Sequence, residues 1–78
     1  FAAIEPKIIL EEPVKMGAQK IILLHNHPSG DPSPSSEDYR VTDRIYESAD
    51  VMGITLLDHV IIGNNEFRSI FEKKKKGK

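Results

Sequence analysis

At 78 residues the chain has room for one small domain, and so short a chain buries a smaller share of its surface than a full-sized domain does. It has no cysteine, which excludes disulfides and thiolate ligands as sources of extra stability. Its 11 basic and 12 acidic side chains leave a net charge of -1, which argues against direct nucleic-acid binding, and no apolar run reaches membrane-spanning length, so a cytoplasmic protein is expected.

A first residue of Phe1 rather than methionine suggests a fragment. Pro6 suits the first turn of a helix whose apolar stripe is Ile8, Ile9, Leu10 and Val14. Pro13 should kink or interrupt that helix, and Gly17 should close it. Residues 20–24 form a short, β-branched apolar run that reads as a buried strand ending at His25. Pro28, Gly30, Pro32 and Pro34 then forbid regular structure until Ser35, where Ser35-x-x-Asp38 has the form of a capping box. Residues 36–52 read as the main helix, because Val41, Ile45, Ala49 and Met52 recur at helical spacing, and Gly53 is placed to stop it. Residues 54–62 read as a strongly apolar strand, followed by a turn at Gly63-Asn64-Asn65 and a short strand over 67–71. Strand, helix, strand implies a crossover between parallel neighbours, and the last step implies an antiparallel hairpin. The order is that of an α/β domain over residues 1–71, with 72–78, which contain the run Lys73-Lys74-Lys75-Lys76, as a basic, disordered tail.

The most informative segment is His25-Asn26-His27 together with the proline-rich loop after it. Alternate residues of a strand face one side, so His25 and His27 project together and can take two corners of a tetrahedron around one cation. The loop is long enough to fold back, which lets Asp38 present its carboxylate to the same cation. Two neutral imidazoles and one carboxylate make a three-ligand set with a fourth position open to water, the arrangement of a catalytic zinc, whose bound water has a pKa of roughly 7. The plainer reading of Ser35 and Asp38 is a helix cap. Both roles can coexist, since a carboxylate has two oxygens and Ser35 can either cap the helix or donate to an oxyanion. Gly30 reads as a backbone shape that a side chain would forbid. Asp31 and Ser33 read as partners of the imidazole nitrogens or as loop-stabilising residues, and His59 as a packed or hydrogen-bonded structural histidine.

His25, His27, Ser35 and Asp38 fit the JAMM/MPN+ metallohydrolase signature without adjustment, and the segment resembles that family. More narrowly, the run from His25 to Ser35, with Gly53-Ile54-x-Leu56-Leu57-Asp58-His59-Val60-Ile61-Ile62-Gly63, resembles its bacterial RadC-type branch, long labelled a DNA repair family. The resemblance implies a JAB/MPN-like, cytidine-deaminase-like three-layer sandwich, a mixed curved sheet flanked by helices, truncated here at its N-terminus. It also implies a zinc-dependent hydrolase that cleaves an amide or isopeptide-like bond in a protein or peptide substrate. His25, His27 and Asp38 would hold Zn2+, and Ser35 would be the catalytic residue that stabilises the developing oxyanion. The family's catalytic glutamate comes from a strand well upstream of the histidines, whereas this chain offers only Glu5, Glu11 and Glu12 there. The stretch around Pro6-Lys7-Ile8 falls where the branch has Pro-Arg-Glu, downstream of that glutamate, so the general base is expected upstream of Phe1.

Competing readings are distinguishable. HNH nucleases disperse their three named residues along a ββα-metal unit, and an amidohydrolase barrel needs a far longer chain. The serious rival is a non-catalytic metal-binding adaptor that docks a replication or repair partner.

Overall fold

The computed structural model describes residues 5–72. Helix α1 (Pro6–Met16) is followed by strand β1 (Lys20–Asn26), helix α2 (Ser36–Val51), strand β2 (Thr55–Ile62) and strand β3 (Phe67–Ser69). The sheet order is β1-β2-β3, with β1 parallel to β2 and β2 antiparallel to β3. This is the expected mixed α/β arrangement, reached through the helical crossover that a parallel pair requires. Of the tail expected over 72–78, Glu72 is instead helical, its amide held by the Ser69 hydroxyl, and residues 73–78 lie outside the described residues. No helix among the described residues is long and apolar enough to cross a membrane.

Both helices pack on one face of the sheet. Leu10 meets Ala49 and Ile54, while Val41 and Ile45 meet Leu56, and Ile9 and Ile21 touch both groups. Each fully buried Leu, Ile or Val among them contributes roughly 1.5–3 kcal/mol through burial. The stripe of α2 differs from the periodic expectation at its end: Met52 is exposed, and Asp38 and Thr42 are buried with Val41, Ile45 and Ala49. The helix stops before Met52 can face inward. The amides of Gly53 and Ile54 return to the carbonyls of Asp50 and Ala49, and Ile54 seals the end by packing on Ala49.

Other expectations need correction. Pro13 does not interrupt α1: it lies one turn from the end, its own carbonyl accepts from Ala18, and Gly17 closes the helix as expected. Ile8 and Val14, placed on the apolar stripe, are exposed. Strand β1 is half-buried rather than buried, with Ile22 55% and Leu24 70% exposed, because the described helices cover only the face that carries Ile21 and Leu23. A short apolar run does not distinguish burial on one face from burial on two. The last strand ends at Ser69, and residues 70–72 are helical, because the Ser69 hydroxyl accepts the Glu72 amide and turns the chain.

One irregularity matters for the site. Ile21 pairs with Leu56 but Ile22 pairs with Asp58, so Leu57 is an extra residue in β2. A bulge of this kind switches the face on which the following residues lie. Leu56, His59 and Ile61 are therefore the buried residues of β2, and His59 stands beside Leu23 on the helix side of the sheet.

Candidate metal centre

His25 and His27 leave the C-terminal end of β1, and Asp38 enters from the first turn of α2. The main chain carries the pairing past the strand, since the His27 amide donates to the carbonyl of Ile62 at 3.0 Å. The next loop is anchored to the turn between β2 and β3: the Asn64 amide donates to the Gly30 carbonyl at 2.8 Å. Gly30 has φ of 90°, the left-handed region that favours glycine, as its position in the proline loop suggested. The loop returns the chain to α2, whose capping box is complete. The Asp38 amide donates to Ser35 Oγ at 3.1 Å, and the Ser35 amide donates to Asp38 Oδ2 at 2.8 Å.

That box fixes a carboxylate that also faces both imidazoles. His25 Nδ1 lies 3.3 Å from Asp38 Oδ1, and His27 Nε2 lies 3.2 Å from Asp38 Oδ2. The ligand atoms of His25, His27 and Asp38 all lie within 4.8 Å of one another. Zinc bonds of about 2.0 Å set neighbouring corners of a tetrahedron about 3.3 Å apart, and the two histidine–carboxylate separations, each to a different oxygen, are of that size. The side chains are unequal in exposure, with Asp38 buried and the two histidines half-buried.

Protonation can be argued from the partners. His27 Nδ1 is 2.9 Å from the carbonyl oxygen of Asp31, which can only accept, so Nδ1 carries the proton. In neutral His27 the Nε2 lone pair then points at a carboxylate oxygen, and two acceptors at 3.2 Å need a positive charge between them. A proton on Nε2 or a bound cation meets that need. His25 Nδ1 is more telling: it is buried, and despite its 3.3 Å approach to Asp38 it makes no hydrogen bond. An orphaned buried nitrogen beside a carboxylate is costly in the free protein and is satisfied by a metal ion. The residues therefore fit a divalent cation.

Burial tends to push the Asp38 carboxyl up, but the hydrogen bonds from Ser35 and the nearby His25 and His27 rings outweigh it and leave it below the usual 3.8. Asp38 is accordingly a carboxylate under ordinary conditions, the form a metal ligand requires.

Asp31 plays a divided part. Its side chain stabilises the loop, with Oδ1 accepting from the Ser33 amide at 3.0 Å, a bond that lowers its pKa. Its main-chain carbonyl orients His27. The orienting group for this candidate ligand histidine is thus a peptide oxygen, which side-chain spacing gives no way to find. Ser33 contributes only to the loop. His59 is buried and hydrogen-bonded, as read from sequence, and its partner is Thr42, a residue sequence reasoning missed. The signal was available: Thr42 stands one helical turn after Asp38, on the same stripe. Glu5 is exposed and lies outside the His25, His27 and Asp38 group. A cavity of about 430 Å³ lined by Val60, Ile62, Gly63, Asn65, Glu66 and Phe67 includes none of the three. Donor chemistry, not the size of a hollow, marks this site.

Comparison with known proteins agrees with the geometry. The model of the RadC-like JAB domain matches residues 1–76. A UPF0758 protein of Clostridium botulinum strain Alaska E43 is 54% identical over 70 residues, which cover 90% of this chain and 31% of that protein. UPF0758 proteins of Bacillus licheniformis and Alkaliphilus metalliredigens are 50% and 49% identical over 70 residues, covering 90% of this chain and 31% and 30% of theirs. The chain spans about a third of the length of the curated relatives it matches. With the family model matched along nearly its whole length and relatives at about half identity, this chain belongs to the RadC-like JAB domain family.

Proposed function

We propose that this chain carries the metal-binding part of a zinc-dependent hydrolase of the JAMM type, acting on an amide or isopeptide-like bond of a cytoplasmic protein or peptide. The observation that carries the reading is His25 Nδ1, a buried nitrogen without a hydrogen-bond partner, set 3.3 Å from a carboxylate that also faces His27. His25, His27 and Asp38 hold the ion. Two imidazoles and one carboxylate form a borderline-soft set suited to zinc, with one position left open. Zinc held there would supply Lewis acidity and would lower the pKa of a water to roughly 7.

The protein's own groups do the rest. The Asp31 carbonyl fixes the tautomer and orientation of His27, and Ser35 fixes Asp38 through two hydrogen bonds. Ser35 Oγ accepts the Asp38 amide, and Ser35 is exposed at the N-terminus of α2, so its hydroxyl proton, which helps to lower the Asp38 pKa, can turn to a substrate oxygen. A hydroxyl there, with the positive end of the helix behind it, is suited to stabilise negative charge on a substrate carbonyl oxygen. In this reading proton transfer needs a further carboxylate, and the group of His25, His27 and Asp38 found among the described residues does not include one.

The test is metal analysis of the purified protein, before and after zinc is added back, with an anomalous difference map at the zinc edge. One equivalent of zinc and a peak bounded by His25, His27 and Asp38 are expected. Absence of that peak after add-back would overturn the proposal.

A further inference from the structure

Behind the three ligand side chains lies a second, fully buried layer. Thr42 Oγ1 donates to the Asp38 carbonyl at 2.7 Å and lies 2.6 Å from His59 Nδ1. The direction of both bonds is forced. A carbonyl oxygen only accepts, so the single hydroxyl proton of Thr42 goes to Asp38, and Oγ1 must then accept from His59, whose Nδ1 carries a proton. The His59 ring in turn stacks on His25, with centroids 5.7 Å apart and planes 23° from parallel, while His25 meets His27 edge to face at 4.8 Å. One chain of contacts therefore runs from β2 to the main chain of one ligand and to the ring of another.

A threonine bonding to the carbonyl one turn back is common in helices and by itself signals nothing. Two further observations distinguish this one. The hydroxyl is shared with a histidine from another element, and that histidine reaches the helix side only because Leu57 is bulged out of β2. Without the bulge, strict alternation would put His59 on the same face as Leu57 and remove it from Leu56. Thr42 is 1% and His59 3% exposed, so a polar pair occupies a place in the core where aliphatic side chains would serve stability as well.

We propose that Thr42 and His59 are a positioning pair for the metal site, fixing the first turn of α2 through the Asp38 carbonyl and the plane of His25 through ring stacking. The pair touches neither ion nor substrate. This inference rests on the metal-site reading above and deepens it.

The test uses the full-length protein loaded with cobalt as a spectroscopic stand-in for zinc, with zinc affinity measured by chelator competition. Thr42→Val keeps the shape and removes the hydroxyl. It is expected to shift the visible cobalt bands and weaken zinc binding by about tenfold or more, in the range seen when groups that orient metal ligands are removed. Thr42→Ser and Thr42→Ala lose the same methyl and differ only in the hydroxyl, so Thr42→Ser should bind more tightly than Thr42→Ala. That comparison decides if Thr42→Val does not fold. His59→Asn, whose amide nitrogen can take the place of Nδ1, should retain more affinity than His59→Leu. Wild-type cobalt bands and affinity in Thr42→Val, or equal affinities for Thr42→Ser and Thr42→Ala, overturn the positioning role while leaving the metal site standing. A wild-type protein that binds neither cobalt nor zinc overturns the metal reading itself, and this one with it.

Discussion

Gly63 lies directly against the main chain of Gly30: a β-carbon built on Gly63 would sit 2.3 Å from the Gly30 carbonyl oxygen and 2.9 Å from both its carbonyl carbon and Pro32 Cδ. That contact joins the turn after β2 to the loop carrying Asp31, and so to the orientation of His27. Backbone atoms cannot rotate aside as a flexible side chain does. Gly63→Ala is therefore expected to lose about 1–3 kcal/mol of stability, the usual cost of overpacking. It should also weaken zinc binding by displacing the Asp31 carbonyl. Urea unfolding and chelator competition check both, and a variant matching wild type in both would show that the loop is not held by this approach.

Asp38 has two roles that one substitution separates. Asn keeps an acceptor for the Ser35 amide but removes the charge beside the two imidazoles. With zinc at about 100 times its Kd, wild-type protein should gain about 2.7 kcal/mol in stability, whereas Asp38→Asn should gain far less. Without metal the two should unfold within about 1 kcal/mol of each other, the size of a helix cap. Thermal unfolding with and without zinc gives all four values. Equal zinc stabilisation in the two proteins would remove Asp38 from the ligand set.

Stability of the metal-free protein should fall in two stages on acidification. Burial, followed by the neighbouring His25, lowers the His59 pKa below 6.5, so the folded state resists a proton that the unfolded chain accepts. Stability is then lost as pH drops below about 6.5 and levels off once the folded pKa is passed. Asp38, also lowered, contributes stability above its unfolded 3.8 and loses it as pH falls through its lower folded value. Denaturant midpoints between pH 8 and pH 3 in a chelator-containing buffer (about five points) measure this. In His59→Asn the first stage should shrink; an unchanged slope between about pH 6.5 and 5 would contradict the assignment to His59.

Asp58 ties three elements together outside the group of His25, His27 and Asp38. Its Oδ1 accepts the amides of His59 at 2.7 Å and Phe71 at 3.2 Å, and its Oδ2 accepts the Ser69 hydroxyl at 2.6 Å. Asp58→Ala leaves those donors unpaired and should cost about 2 kcal/mol or more. Hydrogen exchange should show the Phe71 amide losing protection, and full protection there would mean that the turn over residues 70–72 is held by packing alone, including that of Phe71 on Tyr46.

What could be read from the sequence was local. The period of 3.6 marked α2, the apolar runs marked β1 and β2, and Ser35-x-x-Asp38 marked the cap that the structure completes. The spacing of His25, His27 and Asp38 likewise brought together three side chains that do converge, because strand alternation and a helix's first turn are fixed by nearby residues. Tertiary structure decided what depends on distant partners. Strict alternation cannot foresee the bulge at Leu57, which arises from pairing with β1 and delivers His59 to Thr42. Nor can side-chain identity reveal that the Asp31 carbonyl, rather than its carboxylate, orients His27, since every residue has a carbonyl and only the folded loop aims one. The candidate ligand set was written in sequence spacing; the contacts that hold those three side chains in place arise only where β2 and the loop after β1 meet α2 in space.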